Sequence, residues 1–192
     1  EEEQREIMKI IYEESQRMGR LVTDLLDLAR MESGRMRLYK ENVSIESVIR
    51  RITQKFAQTA KESSIHLTFE STVSDELKVE IDEDRIEQVL TNLIDNAIRH
   101  TPQEGKVNVL VEQENAFVKI TVQDTGSGIP KEDLPFVFER FYKADKSRTR
   151  GKGGTGLGLA IAKNMVEAHD GTIWVTSEEQ VGTTFEFNLP IK

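Results

Sequence analysis

The chain has no cysteine, which excludes disulfides and thiolate metal sites and fits a reducing compartment. Its three histidines, His66, His100 and His169, form neither a metal cluster nor a Ser-His-Asp constellation. Basic residues are the minority: 26 Lys and Arg against 34 Asp and Glu give a net charge of −8. That argues against a nucleic-acid partner, which needs a cationic surface to displace counterions. No apolar run approaches the roughly 18 residues that span a bilayer, so no membrane contact is expected of these residues. No signal peptide is visible in the opening EEEQREIMK. The opening residue is Glu rather than Met, and the chain reads as a piece of a longer protein. What is present, 37% hydrophobic and 31% charged residues over 192 positions, suits one soluble globular domain with an appendage.

Residues 4–33 carry a helical pattern, with Ile7, Ile11, Met18, Leu21, Leu25 and Leu28 on heptad spacing and Glu14 the polar exception. Leu26 and Ala29 widen the stripe, and Gly34 supplies the stop. The helix is either packed on its own domain or belongs to a bundle or dimer whose partner is missing. From Leu38 strands and helices alternate. Strands are expected at LYKENV, IHLTFE and LKVEI, and Ser44 caps a helix running to about Glu62. Asp82 caps a long amphipathic helix through His100. VNVLVE and FVKITVQD form a hairpin around Glu114-Asn115, and a short helix falls near Glu132–Phe138. Leu157 to His169 is helical and ended by Gly171, and TIWVTS and GTTFEFNLP close as strands. There are no internal repeats. The mixture predicts an α+β two-layer sandwich, a sheet packed on helices, preceded by one long helix.

Four segments carry chemistry. The first, RTRGKGGTGLGLA, contains Gly151-Lys-Gly153-Gly-Thr-Gly156, which formally matches the dinucleotide fingerprint. That fingerprint needs a buried strand before its first glycine, and KADKSRTR cannot be one. No G-K-[ST] occurs for a Walker loop, and Gly158 stands where a protein-kinase glycine loop wants Val. Arg140 to Lys152 holds six basic residues against one acidic, a local charge near +5, leading into glycines that open a helix. Backbone amides and a helix N-terminus suit a polyphosphate; a solvated loop is the alternative. Glycine density predicts a lid that orders on its ligand.

In the second segment, period two puts Asp124 on the apolar face with Val118, Ile120 and Val122. A buried carboxylate needs donors: an adenine-like amine would serve, and so would a turn in which Asp124 is merely the cap. In the third, Asn96 lies about 90° from the core stripe of its helix, with Asn92 and Arg99 slightly beyond. Two carboxamides one turn apart either offer neutral oxygens to Mg²⁺ or simply face water. The fourth is an aromatic run, Phe136, Phe138, Phe141 and Tyr142, beside the basic segment, which is either plain core or an anchor for it.

In order along the chain, N-L-x-x-N-A-x-x-H-T, D-x-G-x-G-I, F-E-R-F-Y, G-G-T-G-L-G-L and G-T-T-F resemble the ATP-binding domain of bacterial sensor histidine kinases. The leading RLVTDLLDLARMESG resembles the second helix of that family's dimerisation and phosphoacceptor bundle. The resemblance implies a bundle helix over 1–34 and a catalytic domain over 35–192 with the Bergerat ATP-binding fold. It implies ATP and Mg²⁺ as ligands, with Asp124 reading the adenine amine and Gly126, Gly128 and Ile129 around the base. Asn96 would be the Mg²⁺ ligand, assisted by Asn92, with Arg99 and His100 touching phosphate and nucleotide. Tyr142 and Lys143 would lie near the phosphates under the covering Gly154, Thr155, Gly156, Leu157 and Gly158, and Thr183 would support the adenine pocket. Asn92 and Lys143 are the catalytic candidates.

Asn92 stands where ATP-hydrolysing members of the superfamily carry a Glu base, and Asn takes no proton at neutral pH. Hydrolysis should be slow, leaving the γ-phosphoryl for a positioned acceptor. The family's phosphoacceptor histidine, in an H-E/D-L-R-T-P-like segment, is absent, so this chain should bind Mg-ATP without phosphorylating itself. The implied partners are ATP or ADP, the kinase's own acceptor bundle and a response regulator. The parent protein is expected to be a membrane-anchored homodimer with this portion cytoplasmic. One bundle helix per chain cannot rebuild a four-helix core, which predicts a monomer or weak dimer here. An anti-sigma-type serine kinase on the same fold and a nucleotide-gated docking module are the competing readings.

Overall fold

The computed structural model describes residues 2–143 and 154–191. In chain order it contains α1 (Glu2–Glu32), β1 (Glu41–Ser44), α2 (Ile45–Lys55), α3 (Ala57–Glu62), β2 (His66–Ser71), β3 (Lys78–Ile81), α4 (Glu83–His100), β4 (Lys106–Glu114), β5 (Phe117–Asp124), α5 (Gly158–Ala168), β6 (Thr172–Glu178) and β7 (Gly182–Pro190). No helix among the described residues is long and apolar enough to cross a membrane.

Alternation dictates the sheet. Val107, Val109 and Val111 of β4, Val118, Ile120 and Val122 of β5, and Phe185, Phe187 and Leu189 of β7 are all buried. The residues between them face the opposite, wetter side, where Lys119 pairs with Glu112, Glu114 and Glu186. One solvated face is what a largely antiparallel sheet permits. The strand order is β2-β4-β5-β7-β6, with β2 parallel to β4 and every other pairing antiparallel. Helices α2, α4 and α5 cover the apolar face, which makes the expected two-layer sandwich with a mixed sheet. Strands β1 and β3 form a separate two-stranded sheet.

The helix signals act where the sequence places them. The Asp82 carboxylate accepts the Arg85 N–H at 3.2 Å to start α4, and Ser44 does the same for α2 through Ser47. The α4 stripe of Ile86, Val89, Leu90, Leu93, Ile94 and Ala97 is buried, while Arg99 and His100 occupy its last turn, where cations suit the helix dipole. Gly34, at φ +64°, ends α1: its N–H reaches the Met31 carbonyl and that of Arg35 the Arg30 carbonyl, a Schellman closure.

Three expectations are corrected. The helix from Ser44 to Glu62 is broken at Phe56 into α2 and α3. Buried Thr53 returns its hydroxyl to the Ile49 carbonyl at 2.9 Å, a bond that bends helices, and the bend lets Phe56 and Ala60 pack on the core. The helix expected near Glu132–Phe138 is a single 3-10 turn, Leu134–Phe136, with Pro135 inside it. The strand expected at 38–43 begins only at Glu41. Gly171 does help to stop α5, its N–H returning to the Val166 carbonyl at 3.0 Å, but it is Asp170 that takes the left-handed conformation, at φ +61°. A Cβ on Gly171 would lie 2.1 Å from the Asn188 carbonyl of β7, so close chain approach is what demands glycine there.

Candidate functional site

The site grows from the end of β5. Strand alternation carries Asp124 into the interior at 5% exposure, where its Oδ1 accepts the Gly126 N–H at 2.7 Å and the Thr183 N–H at 3.3 Å. Burial pushes this carboxyl above its ordinary range, and the two backbone bonds pull it back. Asp124 therefore does cap the turn, yet among the described residues both bonds fall on Oδ1, which leaves Oδ2 to serve another donor. The turn cap thus occupies one oxygen of the group.

Thr183 faces Asp124 across the β5–β7 pairing, and its hydroxyl lies 2.8 Å from that of Ser177. Ser177 Oγ in turn donates to the Gly182 carbonyl at 2.9 Å and accepts the Ile129 N–H at 2.8 Å. This chain of bonds locks the loop after Asp124 onto the β6–β7 hairpin. Ser177 was not singled out from the sequence; only the register of β6 against β7, which sets Ser177 opposite Thr183, reveals it. Gly126 and Gly128 serve the same packing. A Cβ on Gly126 would stand 2.5 Å from the His100 carbonyl, and one on Gly128 2.1 Å from that of Glu178. Both glycines let the protein's own backbone close up, rather than only making room for a flat ligand.

The other end of the site lies along α4. Asn92 Nδ2 donates to the Gly158 carbonyl at 2.9 Å, which ties the middle of α4 to the start of α5. Asn96, one turn on, is half-buried as its helical phase predicts. Arg99 pairs with Asp95 and lies against the glycine-rich segment, so close that a Cβ on Gly154 would be 2.5 Å from its Nη1. His100 keeps an exposed edge, but desolvation, assisted by Arg99 and opposed by Asp95, holds its imidazole below the ordinary value. The carbonyl of His100 accepts the Ser127 N–H at 3.3 Å. The last turn of α4 thereby joins the Asp124 end to the Gly154 end.

Gly156 accepts the Phe141 N–H at 2.8 Å through its carbonyl, which brings the aromatic run beside the glycine-rich segment. Tyr142 donates its hydroxyl to Asp133 and stacks at 5.7 Å on Phe136; Lys143 beside it is half-buried. The structure thus gathers Asn92, Arg99, Gly154, Thr155 and Gly158 at one end, and Asp124, Gly126, Ile129 and Thr183 at the other. The basic positions Lys146, Arg148, Arg150 and Lys152, with Gly151 and Gly153, lie outside the described residues. Residues 137–143 are turns and irregular chain; the stretch directly before Gly151, where the dinucleotide reading needs a strand, lies outside the described residues.

Among the described residues no group of three or more His, Asp or Glu side chains could hold a metal ion. A hard cation at this site would meet neutral carboxamide oxygens from Asn96 and Asn92, a donor set that suits Mg²⁺ when water and phosphate supply the remaining oxygens.

A family model described as histidine kinase-, DNA gyrase B-, and HSP90-like ATPase matches residues 81–192. The chain belongs to this ATPase family. A second model, the His Kinase A (phospho-acceptor) domain, matches residues 1–34. Over 188 residues the chain is 45% identical to sensor histidine kinase WalK of Bacillus subtilis (strain 168), covering 96% of this chain and 30% of that protein. It spans about a third of the length of the curated relatives it matches. Among solved structures, full-length ShkA in complex with AMPPNP superposes with a TM-score of 0.84 at 29% identity, over 98% of this chain and 39% of that one. Histidine kinase ThkA in complex with response regulator protein TrrA gives 0.76 at 28% identity, over 97% and 51%. The mixed sheet under its helices is accordingly the sandwich of this ATPase family, with a long helix in front.

Proposed function

We propose that this chain is the ATP-binding catalytic portion of a two-component sensor histidine kinase. Residues 1–34 serve as the second helix of the dimerisation and phosphoacceptor bundle, and residues 35–192 as the catalytic domain. The γ-phosphoryl passes to a histidine on a bundle helix outside these residues, since none of His66, His100 and His169 has the acceptor context, and from there to a response regulator. The parent protein is a homodimer anchored in a membrane with this portion on the cytoplasmic side. The observation that carries the reading is Asp124, a buried carboxylate with one oxygen bonded internally and one left for an exocyclic amine.

The chain's own groups divide the work. Asp124 orients the base, and Thr183 and Ser177 hold Asp124. Asn92 and Asn96 offer neutral oxygens, while Arg99 and Lys143 supply positive charge at the phosphate end. Mg²⁺, when bound, would neutralise developing charge on the transferred phosphoryl group. Asn92 cannot act as a base, and its amide N–H is already given to the Gly158 carbonyl, so it positions rather than activates water. The likeness of residues 1–34 to a phosphoacceptor domain favours this reading over a serine kinase of anti-sigma type. ShkA with AMPPNP and ThkA with its regulator support the nucleotide and the relay partner.

Calorimetric titration with ATP and Mg²⁺ tests it. One-to-one binding is expected, weakened about tenfold to a hundredfold in Asp124→Asn, where an NH₂ replaces the acceptor facing the amine. A folded chain that gives no heat overturns the proposal.

A further inference from the structure

Helix α1 reaches into the phosphate end of the site through one side chain. Thr155 Oγ1 donates to Asp24 Oδ2 at 2.9 Å and accepts the Leu157 N–H at 3.2 Å. Thr155 belongs to the segment read as covering the triphosphate, and the Leu157 N–H is one of the amides at the start of α5 that lack an intrahelical acceptor. Both groups are turned toward the protein. Arg99, the nearby cation, is likewise engaged by Asp95. An incoming phosphate must therefore compete for each of these three donors with a group of the chain itself, and for Thr155 that competitor comes from α1.

Asp24 is kept in reach by contacts that do not involve the site. Leu28 is buried in the core at 4% exposure. Asp27 accepts from Gln88 Nε2 at 2.9 Å and faces Arg85 at 3.6 Å, and Glu32 pairs with Arg140. These anchors fix the C-terminal half of α1 on α4 and on the loop before Phe141. Beside the Asp24–Thr155 bond an open cleft of about 250 Å³, lined by Met18, Leu21, Phe141 and Thr155 among others, leaves room for Thr155 to turn away. Partial burial raises the Asp24 carboxyl above its ordinary range, with Asp27 adding to the effect and the Thr155 hydroxyl and Arg20 opposing it. The half-buried carboxylate thus lies between Asp27 and Arg20, and its hold on Thr155 is a matter of geometry.

We propose that Asp24 is a positioning residue for nucleotide binding: it holds Thr155 away from the phosphates, so that the posture of α1 sets the affinity for the triphosphate. The inference rests on the ATP-binding reading above. A shift of α1 that breaks its anchors carries Asp24 off Thr155, and the bonds of Asp124 to Gly126 and Thr183 do not depend on α1.

The test is titration of the chain, Asp24→Ala and Asp24→Asn with Mg-ATP and, separately, with adenosine, which lacks phosphates. Alanine is the best helix former, so Asp24→Ala keeps α1; thermal unfolding checks the fold. Asp24→Ala should bind ATP about three- to tenfold more tightly with adenosine binding unchanged, a split that general loosening would not give. Asp24→Asn, which retains an acceptor for Thr155, should tighten ATP binding less, and equal tightening by both variants overturns the hold. If the parent chain binds ATP and Asp24→Ala binds it equally or more weakly, this inference fails alone. If the parent chain binds no ATP, the functional reading fails; amide exchange at Leu157 in nucleotide-free protein then decides the contact, faster exchange in Asp24→Ala supporting the hold and unchanged exchange overturning it.

Discussion

His169 is one of two histidines, with His66, that the candidate site does not use, and its surroundings fix its protonation. It is 2% exposed, its Nε2 accepts the Asp82 N–H at 3.0 Å, and its Nδ1 lies 2.7 Å from the Met165 carbonyl, to which it donates. A proton on Nε2 would meet the Asp82 N–H head on. Desolvation is the main cause that lowers its pKa; the Met165 bond opposes it, Lys40 adds to it, and Asp82 and Asp170 oppose it. Since the folded value lies below the ordinary one, the unfolded chain binds this proton first. The stability that neutral His169 contributes is fully present above about pH 6.5 and is lost as pH falls through the folded value. Denaturant midpoints measured from pH 7.5 to 5.5 should therefore fall more steeply for the parent chain than for His169→Gln, which cannot titrate. Equal slopes would show that His169 carries no such linkage. From the sequence only the position of His169 at a helix end was legible. Its partner Asp82 lies 87 residues away, and a contact set by tertiary packing leaves no local signal.

At the scale of elements, strands that alternate strictly and helices with strong caps were legible, because one residue's burial implies that of the next on the same face. The break at Phe56 was not, since Thr53 back-bonding and packing outweigh helical propensity there, whereas Pro135 was a visible signal within the 3-10 turn that replaces the helix expected at 132–138. The pairing of β5 with β7 matters most to the site, because it delivers the Thr183 N–H to Asp124. Gly182 opens β7 at φ +148°, and a Cβ there would stand 2.0 Å from the Asp124 carbonyl. Gly182→Ala must push the two strands apart at the residue proposed to read the base. It should destabilise the fold by about 1–3 kcal/mol and weaken ATP binding in the same protein, as urea unfolding and calorimetry would measure. A variant with the parent's midpoint and affinity would mean that the site tolerates a displaced β7, and that the Thr183–Asp124 bond is not what holds it.

Across the whole molecule, α1 shows features of both readings left open for it. Leu28 is buried and Leu21 packs on the core, whereas Ile7, Ile11, Met18 and Leu25 of the same heptad stripe are 50%, 59%, 65% and 43% exposed. The C-terminal part of the helix is docked, and the N-terminal part presents an apolar seam of the kind that a bundle helix would cover. The motif order read from the sequence led to the right family because each box is local. The link from Asp24 to Thr155 is not local and became visible only in three dimensions. If the chain is the kinase half of a two-part site, acceptor and catalyst are separable. Incubated alone with γ-labelled ATP, it should acquire no acid-labile, alkali-stable label, because phosphohistidine needs an acceptor in the family's context. Supplied with a separately folded helical-hairpin bundle that carries the acceptor histidine, it should label the bundle and remain unlabelled itself. Label on this chain in the first experiment would place an acceptor among its own three histidines. No label on the bundle in the second, with ATP bound, would reduce the chain to a nucleotide-gated docking module.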